Sequence, residues 1–372
     1  MKFKSEIIIT LIIAILVLFL KLINVLQIEN GLGNPFIIIL MIICFSSITI
    51  FVQKNIDKNY NENKVNYQNL DILKYISAIL IMILHLRPFI NFSDQLDLAF
   101  NNIITRICVP IFFIITGYFV AKKENNNENY IKDYIKKTIP LYLVWSLLYI
   151  PIIIGTIIKY LPIINEYISK INISLTLFII LLMLLLPVVI LIALCYTGTY
   201  YHLWYFPAII FSLLILKKWK NKFNIKYLLV ISFILLLFGA TETYYGVLPL
   251  SIKELLSYYY NIFFTTRNFL FFGLFYVVLG YFIGTKEKPY SKYCFVKLII
   301  SFFLLVFEAI LLHDTNRLNS NILLSCVPLT YYLFISVIYI TNNIKLKFQF
   351  GSLSKYYYLI HPMIIYILSI SY

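Results

Sequence analysis

The chain has 372 residues, of which 61% are hydrophobic and only 13% are charged, and its mean hydropathy is +0.87. Soluble globular proteins are about 45–50% apolar and about 25% charged, so this composition excludes a soluble domain and predicts an integral membrane protein. The formal net charge of +15 comes from lysine-rich loops between apolar runs, a pattern typical of membrane topology and not of nucleic-acid binding.

The N-terminal 60 residues contain two apolar runs, at 6–26 and 36–52. The first run follows a short charged start without a small-residue cleavage site, which favours a retained helix over a signal peptide. A hydrophilic segment, 53–69, separates this pair from the rest of the chain. We therefore predict an accessory transmembrane helix pair at 1–60 and a working membrane domain at 70–372.

The working domain is predicted to be an all-α bundle of about ten core transmembrane helices, because it contains ten apolar runs of membrane length. Crossings by every run in the chain would place basic loops on both sides of the membrane. If 173–195, which contains Pro187, is broken or re-entrant, every basic loop falls in the cytoplasm. We therefore predict eleven crossings, with the N-terminus inside and the C-terminus outside. The ten core runs are 70–90, 103–121, 139–158, 173–195, 201–216, 226–240, 262–284, 295–312, 321–341 and 353–370.

Ionisable side chains inside these runs are the candidate functional residues, because charges in a bilayer are costly unless they are paired or solvated. Lys74 lies at the cytoplasmic end of its helix, and His85 follows roughly 16 Å farther along the helix axis. Arg106, in the next run, shares the outer depth of His85. We expect further side chains at this level to form an outward-facing substrate pocket, namely His202, Trp204, Arg267, Glu308, His313 and His361.

Each candidate also has a purely structural interpretation. His85 could bond to a neighbouring helix, Arg106 could reach the outer headgroups, and Lys74 could be an anchor. Glu308 and Arg267 could form a structural ion pair. A neutral histidine is the best general base near pH 7, and an arginine suits a carboxylate, a phosphate or an oxyanion. No nucleophile motif, phosphate-binding loop or metal-ligand spacing is present, and the five cysteines are scattered singly, so we expect no metal and no tightly bound cofactor.

Four motifs resemble the acyltransferase-3 family of membrane-bound O-acyltransferases, and the resemblance covers 70–372. Thr116 stands where the family pattern has a serine. In chain order, the motifs are Lys74-x10-His85, Arg106-Ile-Cys-Val-Pro-Ile-Phe-Phe-Ile-Ile-Thr-Gly-Tyr, His202-Leu-Trp-Tyr-Phe and Ser354-Lys-Tyr-Tyr-Tyr-Leu-Ile-His361-Pro.

The resemblance implies a ten-helix domain in the bacterial cytoplasmic membrane that takes an acyl group, usually acetyl, from acyl-CoA as cosubstrate. The acceptor is expected to be a hydroxyl of a cell-envelope carbohydrate or of a lipid-linked molecule. The same resemblance implies that His85 is the catalytic base, that Arg106 faces the site and that Lys74 binds the CoA phosphates. The expected partners are acyl-CoA, the acceptor and membrane lipids, and no nucleic acid.

Within the family, the segments 74–89, 102–123 and 200–207 resemble the membrane domain of the membrane-bound serine racemases of vancomycin resistance. Those proteins carry a pyridoxal-phosphate racemase domain after the membrane part. This sequence shows none up to Tyr372, so we do not expect racemisation. Two alternatives stay open: a transporter-like domain for a small polar solute such as L-serine, and a polytopic partner without a site of its own.

Overall fold

The structure is a computed structural model that describes residues 67–170, 174–287, 289, 291–315, 317–339 and 350–369. These residues form helices and connecting turns, without a β-strand among them. Five helices in the described ranges are long and apolar enough to cross a membrane, by length and composition. The protein is therefore an all-α membrane protein. The predicted accessory pair at 1–60 lies outside the described residues and stays a prediction.

In the described ranges, the α-helices follow one another with short connections, and three π-helical turns and two 3₁₀ turns interrupt or extend them. The π-helical turns are Ala99–Ile103, Ala193–Thr197 and Phe269–Gly273, and the 3₁₀ turns are Ile104–Ile107 and Tyr245–Val247. The α-helices are α1 Gln68–Leu86, α2 Asp94–Leu98, α3 Cys108–Glu124, α4 Tyr130–Lys170, α5 Leu175–Ile192, α6 Tyr205–Trp219, α7 Ile225–Tyr244, α8 Leu250–Phe263, α9 Leu274–Gly284, α10 Cys294–Leu311, α11 Cys326–Tyr339 and α12 Phe350–Ser369.

Each of the ten predicted core runs contains a helix, but the run at 262–284 is not a single helix. The chain leaves α8 at Phe263, turns through 264–268 and continues into the π-helical turn before α9. The sequence missed α8 because it is amphipathic: it includes Lys253 and Glu254, while Leu255 and Tyr258 are exposed. A search for apolar runs does not detect a helix of mixed polarity.

The structure contradicts a broken helix at Pro187, one of the two alternatives predicted for 173–195, and the re-entrant alternative stays a prediction. Helix α5 continues through Pro187 and gives way to a π-helical turn only at Ala193. A proline removes one intrahelical hydrogen bond, and transmembrane helices tolerate that loss, so Pro187 did not end the helix. The predicted number of crossings, which relied on an interruption here, stays a prediction.

Basic loops gather at one end of the bundle, which we call the basic end and define by Lys122, Lys220 and Lys286. The Lys122 ammonium donates a hydrogen bond to the Lys286 carbonyl at 3.0 Å. Lys220 forms an ion pair with Glu124 at 2.6 Å. Three loops that are far apart in the sequence therefore lie on the same side of the bundle. This arrangement agrees with the prediction that the basic loops share one side of the membrane.

Helices α3 and α9 approach each other closely at glycines. A Cβ atom added to Gly117 would overlap the Val277 carbonyl, and one added to Gly280 would overlap the Ile114 carbonyl. One turn later, a Cβ on Gly284 would lie 2.7 Å from the backbone of Tyr118. Small residues let two membrane helices touch along their backbones, which stabilises the pair by van der Waals contact.

We expect Gly280→Ala to destabilise the folded protein by about 1–3 kcal/mol, because the added methyl group must push two backbones apart. The midpoint of thermal unfolding in detergent measures this change. Gly155→Ala is the matched control, since its new Cβ would meet only the terminal hydroxyl of Tyr366, which can move aside. Equal midpoints for the two variants would contradict the close packing of α3 and α9.

Candidate functional site

A tight loop between the π-helical turn at 193–197 and α6 carries His202 and Trp204. Gly198 starts this loop at φ +79°, in the left-handed region that favours glycine. A Cβ on Gly198 would lie 2.6 Å from the Trp204 Cα, so the loop closes back on itself. Leu203 packs in the buried cluster around α4 and α12, while Trp204 packs in the one around α3 and α9. The loop therefore joins the two apolar cores, and His202 is buried between them.

Three histidines from three separate segments, His85, His202 and His361, meet at this place and form what we call the histidine cluster. The rings of His85 on α1 and His361 on α12 stack, with their centroids 5.3 Å apart and an angle of 21° between their planes. The ring of His202 lies 5.7 Å from that of His361. Tyr201 covers His85 at a ring distance of 4.8 Å. His361 and His202 are buried, and His85 is half-buried.

Several ring nitrogens of the histidine cluster have no hydrogen-bond partner among the described residues. His361 Nδ1 lies 3.0 Å from the Tyr357 carbonyl oxygen, which can only accept, so Nδ1 carries a proton. His361 Nε2 and both ring nitrogens of His202 are buried without a partner. Buried polar groups are normally satisfied, so these nitrogens mark a place where a polar ligand can bind.

The turn that carries Arg267 is held by Glu242, which lies at the end of α7. The Glu242 carboxylate accepts hydrogen bonds from the Thr266 N–H at 2.8 Å and from the Thr266 hydroxyl at 2.6 Å. It also accepts one from the Thr265 hydroxyl at 3.2 Å. Glu242 was not among the predicted residues, because it lies just beyond the predicted apolar run 226–240, whereas the helix extends to Tyr244. The buried carboxylate therefore positions Arg267.

The side chain of Arg267 lies over Trp204, with the guanidinium carbon 5.0 Å from the ring centroid. Immediately after it, Asn268 Oδ1 accepts hydrogen bonds from the N–H groups of Leu270 and Phe271, at 2.9 and 3.0 Å, and caps the following helix. The backbone is therefore fixed on both sides of Arg267. This cation–π contact holds the guanidinium against the face of the tryptophan.

Arg106 lies in the 3₁₀ turn before α3, where its Nη2 donates to Asn102 Oδ1 at 3.2 Å. Its Nε is buried and has no partner among the described residues. Arg106 and Arg267 both lie within electrostatic range of His85 and of each other. The charges that act on His85 therefore include two guanidinium groups from other segments of the chain.

Each of the three π-helical turns adjoins one of these segments. One comes shortly before Arg106, one leads into the loop that carries His202 and one follows Arg267. Single π-helical turns inside α-helices are frequent at functional sites. Nothing in the local composition distinguishes them, so the sequence did not predict them.

Glu308 and His313, two of the predicted pocket residues, form no hydrogen bond, ion pair or ring contact with the histidine cluster among the described residues. Glu308 accepts hydrogen bonds from the Tyr244 hydroxyl and from the N–H groups of Leu324 and Ser325, each N–H at 2.7 Å. It thereby caps the start of α11, and its predicted alternative ion pair with Arg267 does not form. His313 is 45% exposed and lies 3.9 Å from Asp314, because α10 ends at Leu311 and the chain turns outward.

Lys74 lies near the basic end, away from the histidine cluster on the same helix. Its ammonium forms an ion pair with Asp71 at 3.0 Å and lies 5.1 Å from the centroid of the Phe119 ring. Lys123 approaches the same ring at 5.7 Å. Two lysines therefore converge on one aromatic ring, while the neighbouring carboxylate neutralises part of their charge.

Comparison with known proteins places this arrangement among acyltransferases. A family model described as an acyltransferase domain matches residues 67–370. Two proteins called amino-acid racemase, both from Enterococcus faecalis, are 27% and 28% identical over 79% and 80% of this chain. A serine/alanine racemase from Enterococcus gallinarum is 24% identical over 79% of it. The matched parts cover 39%, 41% and 40% of those proteins, so the chain spans about two fifths of their length. No solved structure matches the chain.

Proposed function

The chain belongs to the acyltransferase-3 family and is a membrane acyltransferase; we propose that it transfers an acyl group, acetyl in the first instance, from acyl-CoA to a hydroxyl of a cell-envelope carbohydrate or lipid-linked acceptor. Its location would be the bacterial cytoplasmic membrane. The observation that carries the proposal is the stacking of His85 on His361 inside a membrane domain, with Arg106 and Arg267 among the charges that act on His85. Such a site combines a base with groups that stabilise negative charge.

In the proposed reaction, His85 accepts the proton of the acceptor hydroxyl as the hydroxyl oxygen attacks the thioester carbon. The carbonyl oxygen becomes an oxyanion, which the guanidinium of Arg106 stabilises. Collapse of the intermediate breaks the carbon–sulfur bond and leaves the acyl group on the acceptor as an ester. The proton held by His85 then passes to the departing CoA thiolate. The unpartnered Nε2 of His361 would accept a hydrogen bond from another hydroxyl of the acceptor, and His202 would accept one through one ring nitrogen and donate one through the other.

The proposed function is tested by the release of free CoA thiol from acetyl-CoA, with purified protein in lipid nanodiscs and a membrane extract as the source of acceptor. We expect release that depends on the extract and is lost in His85→Asn. Radiolabelled acetyl should be transferred into molecules of the extract by the wild-type protein and not by His85→Asn. If folded protein releases no thiol above the rate of empty nanodiscs, the proposed function is wrong.

The helix interruptions around the histidine cluster support a second candidate, a transporter-like domain for a small polar solute such as L-serine. Interrupted helices commonly build substrate sites in transporters, and a relative of this chain is named serine/alanine racemase. Uptake of L-serine into proteoliposomes that contain no CoA separates the two candidates. Uptake by wild-type protein that releases no thiol from acetyl-CoA would favour the transporter.

Under the proposed function, Lys74→Ala should raise the KM for acetyl-CoA about tenfold and leave kcat little changed. The reason is that one charge-assisted contact to a phosphate contributes about 1.4 kcal/mol. Steady-state kinetics over a range of acetyl-CoA concentrations measures the change. The effect should shrink when the donor lacks the 3′-phosphate of CoA.

Lys253→Ala is the matched control, because Lys253 donates to the Gly246 carbonyl at 3.0 Å, in a turn remote from Lys74. This variant should keep the wild-type KM. Equal KM values for the Lys74→Ala and wild-type proteins would mean that Lys74 only forms a structural ion pair with Asp71 within α1.

A further inference from the structure

Two guanidinium groups beside the histidine cluster have no carboxylate bonded to them in the part of the chain that the structure describes. Arg267 has neither an ion pair nor a side-chain hydrogen bond there, and its positive charge rests on the face of Trp204. Arg106 donates only to the neutral side chain of Asn102. Because these arginines lie within electrostatic range of each other, their charges repel.

The nearby carboxylates are already engaged with other groups. Glu242, which lies within electrostatic range of Arg267, directs its oxygens at Thr265 and Thr266. Glu308 directs its oxygens at Tyr244 and at the start of α11.

Asp97 is engaged as well, since it binds Arg87 and accepts from the Asn101 side chain at 2.6 Å. Arg317, within electrostatic range of Arg106, adds a third cation, and the exposed Asp314 is its nearby counter-charge. Among the described residues, neither Arg106 nor Arg267 is therefore bonded to a carboxylate, and the Arg106 Nε is buried without a partner.

Unpaired charges inside a membrane protein cost free energy, so such a cluster persists where an anion binds or water enters. Entry of water alone would not require Arg267 to be held in a fixed position. Glu242 and Asn268 fix the backbone around Arg267, and its guanidinium carbon lies over the Trp204 ring. A guanidinium binds a carboxylate or a phosphate with two parallel hydrogen bonds. Prior fixation also lowers the entropy lost on binding.

We propose that Arg267, assisted by the charge of Arg106, binds a carboxylate or phosphate group that belongs to the acyl acceptor. This inference rests on the proposed function and narrows its acceptor to an anionic hydroxy compound. The anionic group would sit at Arg267 while the hydroxyl that receives the acyl group faces His85. A neutral sugar would leave both guanidinium groups without a bonded carboxylate or phosphate and would therefore bind more weakly.

The test measures binding in the absence of acyl-CoA, with probes that share a carbon skeleton: glycerol, glycerate and glycerol phosphate, and separately glucose, glucuronate and glucose 1-phosphate. The thermal unfolding midpoint of the purified protein is recorded as a function of probe concentration. We expect at least one anionic probe to raise the midpoint, and its neutral counterpart to have no effect. The more effective anion of each set distinguishes a carboxylate acceptor from a phosphate acceptor.

Arg267→Gln should weaken binding of the effective anion by about 10- to 100-fold, the usual contribution of a bidentate charged contact. Arg267→Lys should retain more binding of a phosphate than of a carboxylate, because an ammonium keeps the charge and loses the planar fork. Arg87→Gln is the matched control, since Arg87 is bonded to Asp97 at the same end of the bundle and should leave binding unchanged. Size-exclusion profiles confirm that each variant is folded.

The inference is overturned if neutral probes bind as well as anionic ones, or if a folded Arg267→Gln protein binds the anion like wild type. It is also overturned if Arg267→Gln raises the KM for acetyl-CoA and leaves that for the acceptor unchanged, since the anion is then the donor's phosphate. Anion binding without thiol release from acetyl-CoA would reject the proposed function and keep the anion site. Thiol release from acetyl-CoA with a neutral acceptor would keep the proposed function and reject the anion site.

Discussion

Replacing His85 with alanine should lower acyl transfer by about 10²–10⁴-fold, the usual contribution of a general base, while the protein stays inserted and folded. His85 is half-buried and contacts other rings, so its loss removes a base without opening a large cavity. The measurement is transfer of radiolabelled acetyl by equal amounts of folded protein. His85→Asn should be equally inactive, because an amide retains a hydrogen bond and lacks basicity.

His313→Ala is the matched histidine control, since His313 is exposed and contacts only Asp314 among the ionisable groups described. It should keep wild-type transfer. If His85→Ala transfers acetyl at the wild-type rate, a histidine base has no part in the reaction. If His85→Asn is active and His85→Ala is not, the imidazole serves as a structural hydrogen-bonding group.

Replacing Arg106 with alanine should lower kcat by about 10²–10³-fold, the loss that follows removal of one group that stabilises an oxyanion. The KM for acetyl-CoA should change little, because the contact forms only in the transition state. Arg106→Lys should recover little activity, since its ammonium does not reproduce the planar fork or the contact with Asn102. Initial rates at saturating acetyl-CoA measure the effect.

Arg87→Gln serves as the control for this prediction too, because it removes a guanidinium from the same end of the bundle without touching the histidine cluster. Its kcat should stay near that of wild type. If Arg106→Ala and Arg106→Lys reduce only the amount of folded protein, with normal kcat for what remains, Arg106 is an anchor for the start of α3. The oxyanion would then need another stabilising group.

Much of the helical architecture could be predicted from the sequence, because insertion of a segment into a membrane depends on its own length and composition. The ten apolar runs of the working domain each contain a helix in the structure. Helix α8 was missed, since it mixes Lys253 and Glu254 with apolar residues. The break predicted at Pro187 was wrong, because a local breaker signal does not show whether the surroundings tolerate the lost hydrogen bond.

From the sequence, the candidate site could be predicted only as a set of polar residues at one depth in the membrane. His85, His202 and His361 were selected because polar side chains are expensive in lipid, and the structure brings their rings together. Depth alone did not separate these residues from Glu308 and His313. The contacts of particular tyrosines with these histidines could not be predicted either, because the chain has 32 tyrosines and the sequence does not distinguish one from another.

By itself, the sequence determined that this is a membrane protein with histidines, arginines and glutamates at similar levels, since cost in lipid is a property of each side chain. Which of these side chains remain without an ion-pair partner was decided only by the tertiary structure. Glu242 and Glu308 have the same chemistry and similar positions near helix ends, yet one holds the turn before Arg267 and the other caps α11. Neither bonds to an arginine, because a hydrogen bond needs its partners within about 3 Å and aligned. Segments far apart in the chain meet that condition only after the helices have packed.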